Sequence, residues 1–84
     1  MKISKMIMCD TIQKIQQLVN LTSRVQAKVY ARHAEYVVDC KSLLGLMSLD
    51  LSTPICIDCD DMPEEIIKEL NEFSIYKRYG GMFV

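Results

Sequence analysis

The spacing of apolar residues changes along the chain, and each change predicts a new structural element. Residues 2–8 have the composition of a β-strand, with Ile3 and Ile7 on one face. Beyond them the apolar positions recur every three or four residues, which predicts an amphipathic helix. The face of this helix consists of Ile12, Ile15, Leu18 or Val19, and Thr22. Asp10 or Thr11 can accept a hydrogen bond from its first free N–H groups, so the helix is expected to begin there.

The rest of the chain alternates between strand and helix patterns. The predicted elements are strands over 25–31 and 36–40, a hairpin connection over 32–35, a short helix over 43–48 and a strand over 55–59. Ser42 can cap the short helix. Asp61 lies three residues before Glu64, and Pro63 falls in a first turn, which predicts the start of a last helix. The apolar face of that helix consists of Ile66, Ile67, Leu70 and Phe73.

The predicted order of elements is β-α-β-β-α-β-α, which defines the fold class. This order buries three helices against one face of a four-stranded, mainly antiparallel sheet, so the class is α+β and the architecture an open-faced β-sandwich. A chain of 84 residues can bury one modest core, which predicts a single domain over 1–75. Residues 76–84 include Gly80-Gly81 and are expected to form a loosely ordered tail.

Composition and charge exclude several classes of partner. Ten basic and eleven acidic residues leave a net charge of -1, too weak a field to gather nucleic acid or an anionic membrane surface. The apolar stretches are far shorter than the roughly 20 residues that cross a bilayer. The first residues lack the apolar segment of a signal peptide, so we expect a cytoplasmic protein.

Cysteine spacing is the first candidate for site chemistry. The four cysteines are expected to be reduced thiols, because nothing in the sequence indicates export. Cys56 and Cys59 have the C-x-x-C spacing of redox and zinc motifs. Within a strand, however, residues three apart point to opposite faces, and no second Cys/His pair has ligand spacing. We therefore predict no metal and no cofactor, and a cysteine-based metal or redox module is kept as an alternative.

The segment 41–49, which reads K-S-L-L-G-L-M-S-L, carries a resemblance to a known family. It closely resembles the regulatory segment of HPr, the histidine-containing phosphocarrier of the bacterial phosphotransferase system. The order of elements agrees with that family, residues 23–49 align with it without gaps, and the resemblance extends over most of residues 2–73. The resemblance implies the HPr-like form of the open-faced sandwich.

The same alignment shows that the histidine-containing signature of the family is replaced. Thr11 stands where the family has its phosphorylated histidine, Gln13 where it has an arginine, and Lys14 where it has a proline. An imidazole nitrogen is a good nucleophile near neutral pH, whereas a threonine ester would not pass its phosphoryl group on readily. Gln13 also lacks the charged fork that arginine offers a phosphate. The resemblance therefore implies a non-relaying member, with docking to Enzyme I in doubt and no enzymatic activity.

The intact motif implies a regulatory role. In Gram-positive members the serine at the position of Ser42 is phosphorylated by HPr kinase and controls binding to a catabolite regulator. By the same resemblance, Leu43, Leu44 and Met47 form an exposed docking patch, while Leu46 and Leu49 face the core. We expect a partner-binding module that presents Ser42 and this patch to a kinase or transcriptional regulator.

A phosphocarrier with an unconventional acceptor is the second hypothesis. The acceptor would be Thr11 or His33, which is the only histidine of the chain. His33 falls in the predicted hairpin, which the resemblance places well away from the first helix. Without a histidine near any hydroxyl in the sequence, nucleophilic catalysis has no visible machinery.

Overall fold

The computed structural model describes residues 1–73, and the predicted tail over 76–84 lies outside them. The secondary structure elements are β1 (Ile3–Ile7), α1 (Ile12–Ser23), β2 (Val29–His33), β3 (Tyr36–Asp39), α2 (Leu43–Met47), β4 (Ile55–Cys59) and α3 (Glu64–Leu70), followed by a 3₁₀ turn (Asn71–Phe73). Their order agrees with the sequence prediction, and β4 has the predicted bounds.

The four strands form one antiparallel sheet in the order β1-β4-β2-β3. The last strand within residues 1–73, β4, therefore lies inside the sheet, between the first and the second. Cys59 of β4 pairs with Ile3 of β1 on one side and with Val29 of β2 on the other. The predicted α+β class, with a four-stranded open sheet and three helices, is confirmed.

Alternate strand residues separate the core from the open face of the sheet. Ile55, Ile57 and Cys59 of β4 belong to the core, whereas Cys56 and Asp58 point to the other face. The helices contribute their apolar stripes to the same core. The helix residues buried there are Ile15, Leu18, Leu21 and Thr22 of α1, Leu46 of α2, and Ile66 and Leu70 of α3. Cys9 and Met62, in the connecting segments, are buried as well.

The second strand begins later than predicted. Val25 and Ala27 have the predicted alternation and pack in or against the core, but the strand starts at Val29. The Lys41 ammonium donates to the carbonyl oxygens of Val25 at 2.6 Å and Ala27 at 2.9 Å. These backbone acceptors are thus occupied by a side chain instead of a neighbouring strand, and the segment forms a connection from α1 to β2.

Two helix predictions are wrong in detail. Ile12 was expected on the buried face of α1, but its side chain is 59% exposed, and Leu21 takes part in the core instead. Ile12 is the first residue of the helix, where a side chain can extend beyond the sheet. Pro63, not Asp61, occupies the N-cap position of α3 and makes no side-chain capping bond. Asp61 instead lies 3.4 Å from the amino group of Met1.

The β2–β3 hairpin turns through Ala34 and Glu35, since His33 pairs with Tyr36. Ala34 has a φ of 54°, the only positive value among the non-glycine residues described. The left-handed conformation costs an L-residue about 1–2 kcal/mol because its Cβ approaches the following carbonyl. The turn therefore carries local strain.

This strain predicts that Ala34→Gly stabilises the protein by about 0.5 kcal/mol, after the greater entropy of glycine in the unfolded chain is taken into account. Urea unfolding measures the difference. Glu35→Gly is the matched control: it should lower the free energy of unfolding, because Glu35 has no positive φ to relieve. Equal effects of the two substitutions would contradict the assignment of strain to Ala34.

Candidate functional site

Thr11 occupies the N-cap position of α1. Its hydroxyl accepts a hydrogen bond from the backbone N–H of Lys14 at 3.2 Å, and its carbonyl accepts from Ile15 at 3.0 Å. The backbone of Thr11 is extended, as in other N-cap residues. The side chain of Thr11, which the sequence resemblance aligns with the family's histidine, is therefore used to begin the helix.

The charges near the start of α1 neutralise each other. The Lys14 ammonium lies 3.0 Å from the Asp10 carboxylate, and Gln13 is exposed and uncharged. The arginines within residues 1–73 form ion pairs elsewhere, Arg24 with Glu69 and Arg32 with Asp58, each at 3.0 Å. The start of α1 thus has no arginine fork of the kind that grips a phosphoryl group.

His33 is the last residue of β2, next to the hairpin. Its Nε2 atom lies 2.7 Å from the hydroxyl oxygen of Thr53, in the loop that precedes β4. Ile7 pairs with Ile55, and the next residue of β4, Cys56, pairs with Arg32, so His33 lies at the end of the sheet where β1 leads into α1. Across the sheet, β4 separates His33 from β1, and adjacent strands are about 5 Å apart.

Ser42 is the N-cap residue of α2. Its side-chain oxygen accepts a hydrogen bond from the N–H of Gly45 at 3.1 Å, and its own N–H donates to the carbonyl of Asp39. A Cβ atom on Gly45 would lie 3.3 Å from the Cβ and Oγ atoms of Ser42 and 3.4 Å from the Cβ of Val38. A glycine therefore permits the close approach of the cap, the helix and β3.

The apolar residues of the short helix fall into two groups. Leu46 is 1% exposed and Leu49 is also buried, so both contribute to the core. Leu44 is 82% exposed, and Leu43 and Met47 are also accessible. We call the surface formed by these three exposed residues the α2 patch. The resemblance anticipated both groups, although a helix of five residues is too short for its orientation to follow from periodicity.

A shallow depression adjoins the α2 patch. It has a volume of about 260 Å³ and lies where α1 and α2 pack together, lined by Gln16, Val19, Asn20 and Leu43. The sequence did not predict this feature, because it depends on how the two helices pack together.

The four cysteines are all buried free thiols, but they do not all lie in the same part of the fold. Burial raises the pKa of the Cys9 thiol to about 11 and that of the Cys40 thiol to about 12. Cys59 also belongs to the core, whereas Cys56 contacts Ser4 on the open face of the sheet. Cys56 and Cys59 thus point to opposite faces, and within residues 1–73 no group of three or more His, Cys, Asp or Glu side chains could hold a metal ion.

A polar cluster on the open face was missed by the sequence analysis. Asp58 accepts hydrogen bonds from Ser4 at 2.7 Å and from Arg32 at 3.0 Å, and the Arg32 guanidinium also lies 3.3 Å from the sulfur of Cys56. Partial burial raises the pKa of Asp58, but the hydrogen bonds from Arg32 and Ser4 outweigh this effect and hold the pKa below its usual value. The cluster joins three strands, so only the strand register could have revealed it.

The fold resembles a solved protein. The crystal structure of HPr-C-His from Thermoanaerobacter tengcongensis matches with a TM-score of 0.70 over 92% of this chain and 93% of that chain, at 22% sequence identity. The chain therefore has the HPr-like fold. No protein-family model matches the sequence, and no curated protein does. In the part of the chain that the structure describes, none of the helices has the length and apolar character needed to span a bilayer.

The burial of the thiols predicts their reactivity. At pH 8, Cys9 and Cys40 should react with a disulfide reagent only as fast as the protein opens, because both thiols are protonated and inaccessible. All four should react at once in guanidinium chloride. Mass spectrometry of the labelled protein identifies the sites, and rapid native labelling of Cys40 would contradict its placement in the core.

The same two thiols predict a dependence of stability on pH. Since folding raises their pKa values, the stability that they contribute in the protonated form should be fully present below pH 9 and decrease as the pH rises toward 11–12.

Proposed function

We propose that this protein is a cytoplasmic, HPr-like binding or regulatory module of a phosphotransferase-related network, and that it does not relay phosphate through a histidine at the start of α1. The observation that carries the proposal is the state of that helix start. Thr11 uses its hydroxyl as a helix cap, and the neighbouring Lys14 is paired with Asp10. A nucleophile with the basicity of imidazole is absent from this position, and threonine would form a stable ester in its place.

The surface around α2 supports the regulatory half of the proposal. Ser42 is half-buried and its oxygen faces the first N–H groups of α2. A phosphate on this oxygen would add nearly two negative charges at the positive end of the helix, where the peptide dipoles and N–H groups stabilise them. The modification would therefore be compatible with the cap that Ser42 already forms.

A phosphate at Ser42 would also remain available to a partner. The nearest basic residue along the chain, Lys41, directs its ammonium to the carbonyl oxygens of Val25 and Ala27. This arrangement holds Lys41 against the α1–β2 connection. In the proposed function, a kinase or a transcriptional regulator supplies the cations that recognise the phosphate, while the α2 patch supplies apolar contacts.

Treatment with HPr kinase and ATP tests the regulatory proposal. We expect one phosphate per chain by mass measurement, located at Ser42 by peptide fragmentation. Ser42→Ala should abolish it, whereas Ser48→Ala, at the other end of the same helix, should retain it. Absence of phosphate on the unsubstituted protein would overturn the proposed role of Ser42.

Incubation with Enzyme I and phosphoenolpyruvate tests the loss of the relay. We expect no acid-labile phosphate on this protein under conditions that label an HPr with an intact histidine signature. Labelling would contradict the proposal and support the unconventional carrier, and His33→Gln and Thr11→Val would then identify the acceptor. Because the Nε2 atom of His33 contacts Thr53, the Nδ1 atom would be the candidate phosphoryl acceptor in that case.

Zinc analysis of the purified protein tests the cysteine-based alternative.

A further inference from the structure

A second depression lies where α1 meets the end of α3. It has a volume of about 360 Å³, and the apolar residues that line it are Leu21 and Phe73. Phe73 packs against the core but is only partly buried. For comparison, an apolar cavity of about 150 Å³ accepts benzene, so this α1–α3 depression has room for aromatic side chains from outside residues 1–73.

The described part of the chain ends at the α1–α3 depression. Phe73 is the last described residue, and its carbonyl oxygen accepts a hydrogen bond from the N–H of Met8 at 2.8 Å. This bond fixes the point from which the following residues leave. A segment tethered so close to a surface has an effective concentration on the order of 1 mM there. Residues 74–84 therefore have an advantage over a separate molecule with the same contacts.

The residues that follow Phe73 have the length and composition to cover the depression. Residues 74–79 read S-I-Y-K-R-Y, so three of the six have large apolar or aromatic side chains. Such side chains favour burial, and the tyrosine hydroxyl tolerates a position at a wet edge. One extended residue spans at most about 3.6 Å, so six residues reach roughly 20 Å, about the length of a helix of 12 residues such as α1.

Charge favours the same contact. The charged residues that line the depression are Arg24, Glu69 and Glu72, and Arg24 lies 3.0 Å from Glu69. One cation and two carboxylates leave the lining with a net negative charge. Residues 74–84 contain Lys77 and Arg78 and no acidic side chain. The two surfaces thus have charges of opposite sign, which favours their association and its register.

From these observations we infer that residues 75–79 dock onto the α1–α3 depression of their own chain. The tyrosine rings of this segment contact Leu21 and Phe73, and its two cations face the carboxylates of the lining. The sequence-based expectation of a loose tail rests on Gly80-Gly81, which follow the docking segment, so it applies from residue 80 onward. Docking involves neither Ser42 nor the α2 patch, and it can fail independently of the proposed function.

Limited digestion of the full chain with trypsin tests the inference, because trypsin cleaves after lysine and arginine. Cleavage after Lys77 and Arg78 should be about tenfold or more slower than in a synthetic peptide of residues 71–84, since the docked segment must open before it is cut. Mass spectrometry of the fragments measures the rates. Equal rates in the chain and the peptide would overturn the inference and leave the α1–α3 depression to a separate partner.

A pair of substitutions locates the docking surface. Gln17 lines the α1–α3 depression, so Gln17→Lys should speed cleavage after Lys77 and Arg78 by about threefold, because it places a cation opposite the basic segment. Gln16→Lys is the matched control: Gln16 is also an exposed amide of α1, but it lines the depression beside Leu43, so the rate should not change. Circular dichroism checks that both variants fold. Equal rates in the two variants would overturn the assigned surface.

Nuclear Overhauser contacts give a direct measurement on the unsubstituted chain. We expect cross-peaks between the methyl groups of Leu21 and the ring protons of Tyr76 or Tyr79. Their absence would overturn the inference, because Leu21 is one of the two apolar residues that line the depression.

Discussion

The antiparallel pairing of β4 with both β1 and β2 is the interaction on which the rest of the structure depends. β4 comes last among the strands that the structure describes, but it occupies an interior position of the sheet and joins the N-terminal strand to the β2–β3 hairpin. Its core-facing residues, Ile55, Ile57 and Cys59, provide the surface against which the helices bury their apolar stripes. Without this strand β1 would have no partner, and α1, which follows β1 after four connecting residues, would lose its support. On the opposite face, Asp58 of the same strand ties Ser4 and Arg32 together.

The motif over 41–49 contains residues with two different kinds of role. Lys41 secures the α1–β2 connection, Ser42 caps α2, and Gly45 allows close packing against Ser42 and Val38. Leu46 and Leu49 fill the core. Folding alone therefore accounts for much of the motif. It does not account for the exposed residues of the α2 patch, because apolar side chains in water contribute nothing to the core. Within the motif, the α2 patch is thus the strongest indication of function, because folding does not require its exposed apolar side chains.

The start of α1 has the side chains of a stable helix terminus. Thr11 is a good N-cap residue, and Lys14 with Asp10 adds an ion pair one turn apart. These residues suit a helix that is stable at its first turn, whereas a phosphoryl acceptor must present a free nucleophile and an anion-binding group. In the proposed function, the side chains at this position serve the first purpose. The structural match at 22% sequence identity defines only the fold, so the proposed function rests on these side chains.

The sequence by itself determined the order of elements, the α+β class, the bounds of β4 and the cap residue Ser42, because these depend on local periodicity and on hydrogen bonds a few residues apart. It left Asp10 or Thr11 as the cap of α1, and the structure identifies Thr11. It also separated Cys56 from Cys59, since alternation along a strand is a local property. Only the tertiary structure decided where β2 begins, because Lys41 reaches the Val25 and Ala27 carbonyls from 16 and 14 residues away in the chain. The Asp58 cluster, the position of His33 at the end of the sheet where β1 ends and the depression beside Leu43 likewise depend on register and helix packing, which no local pattern records.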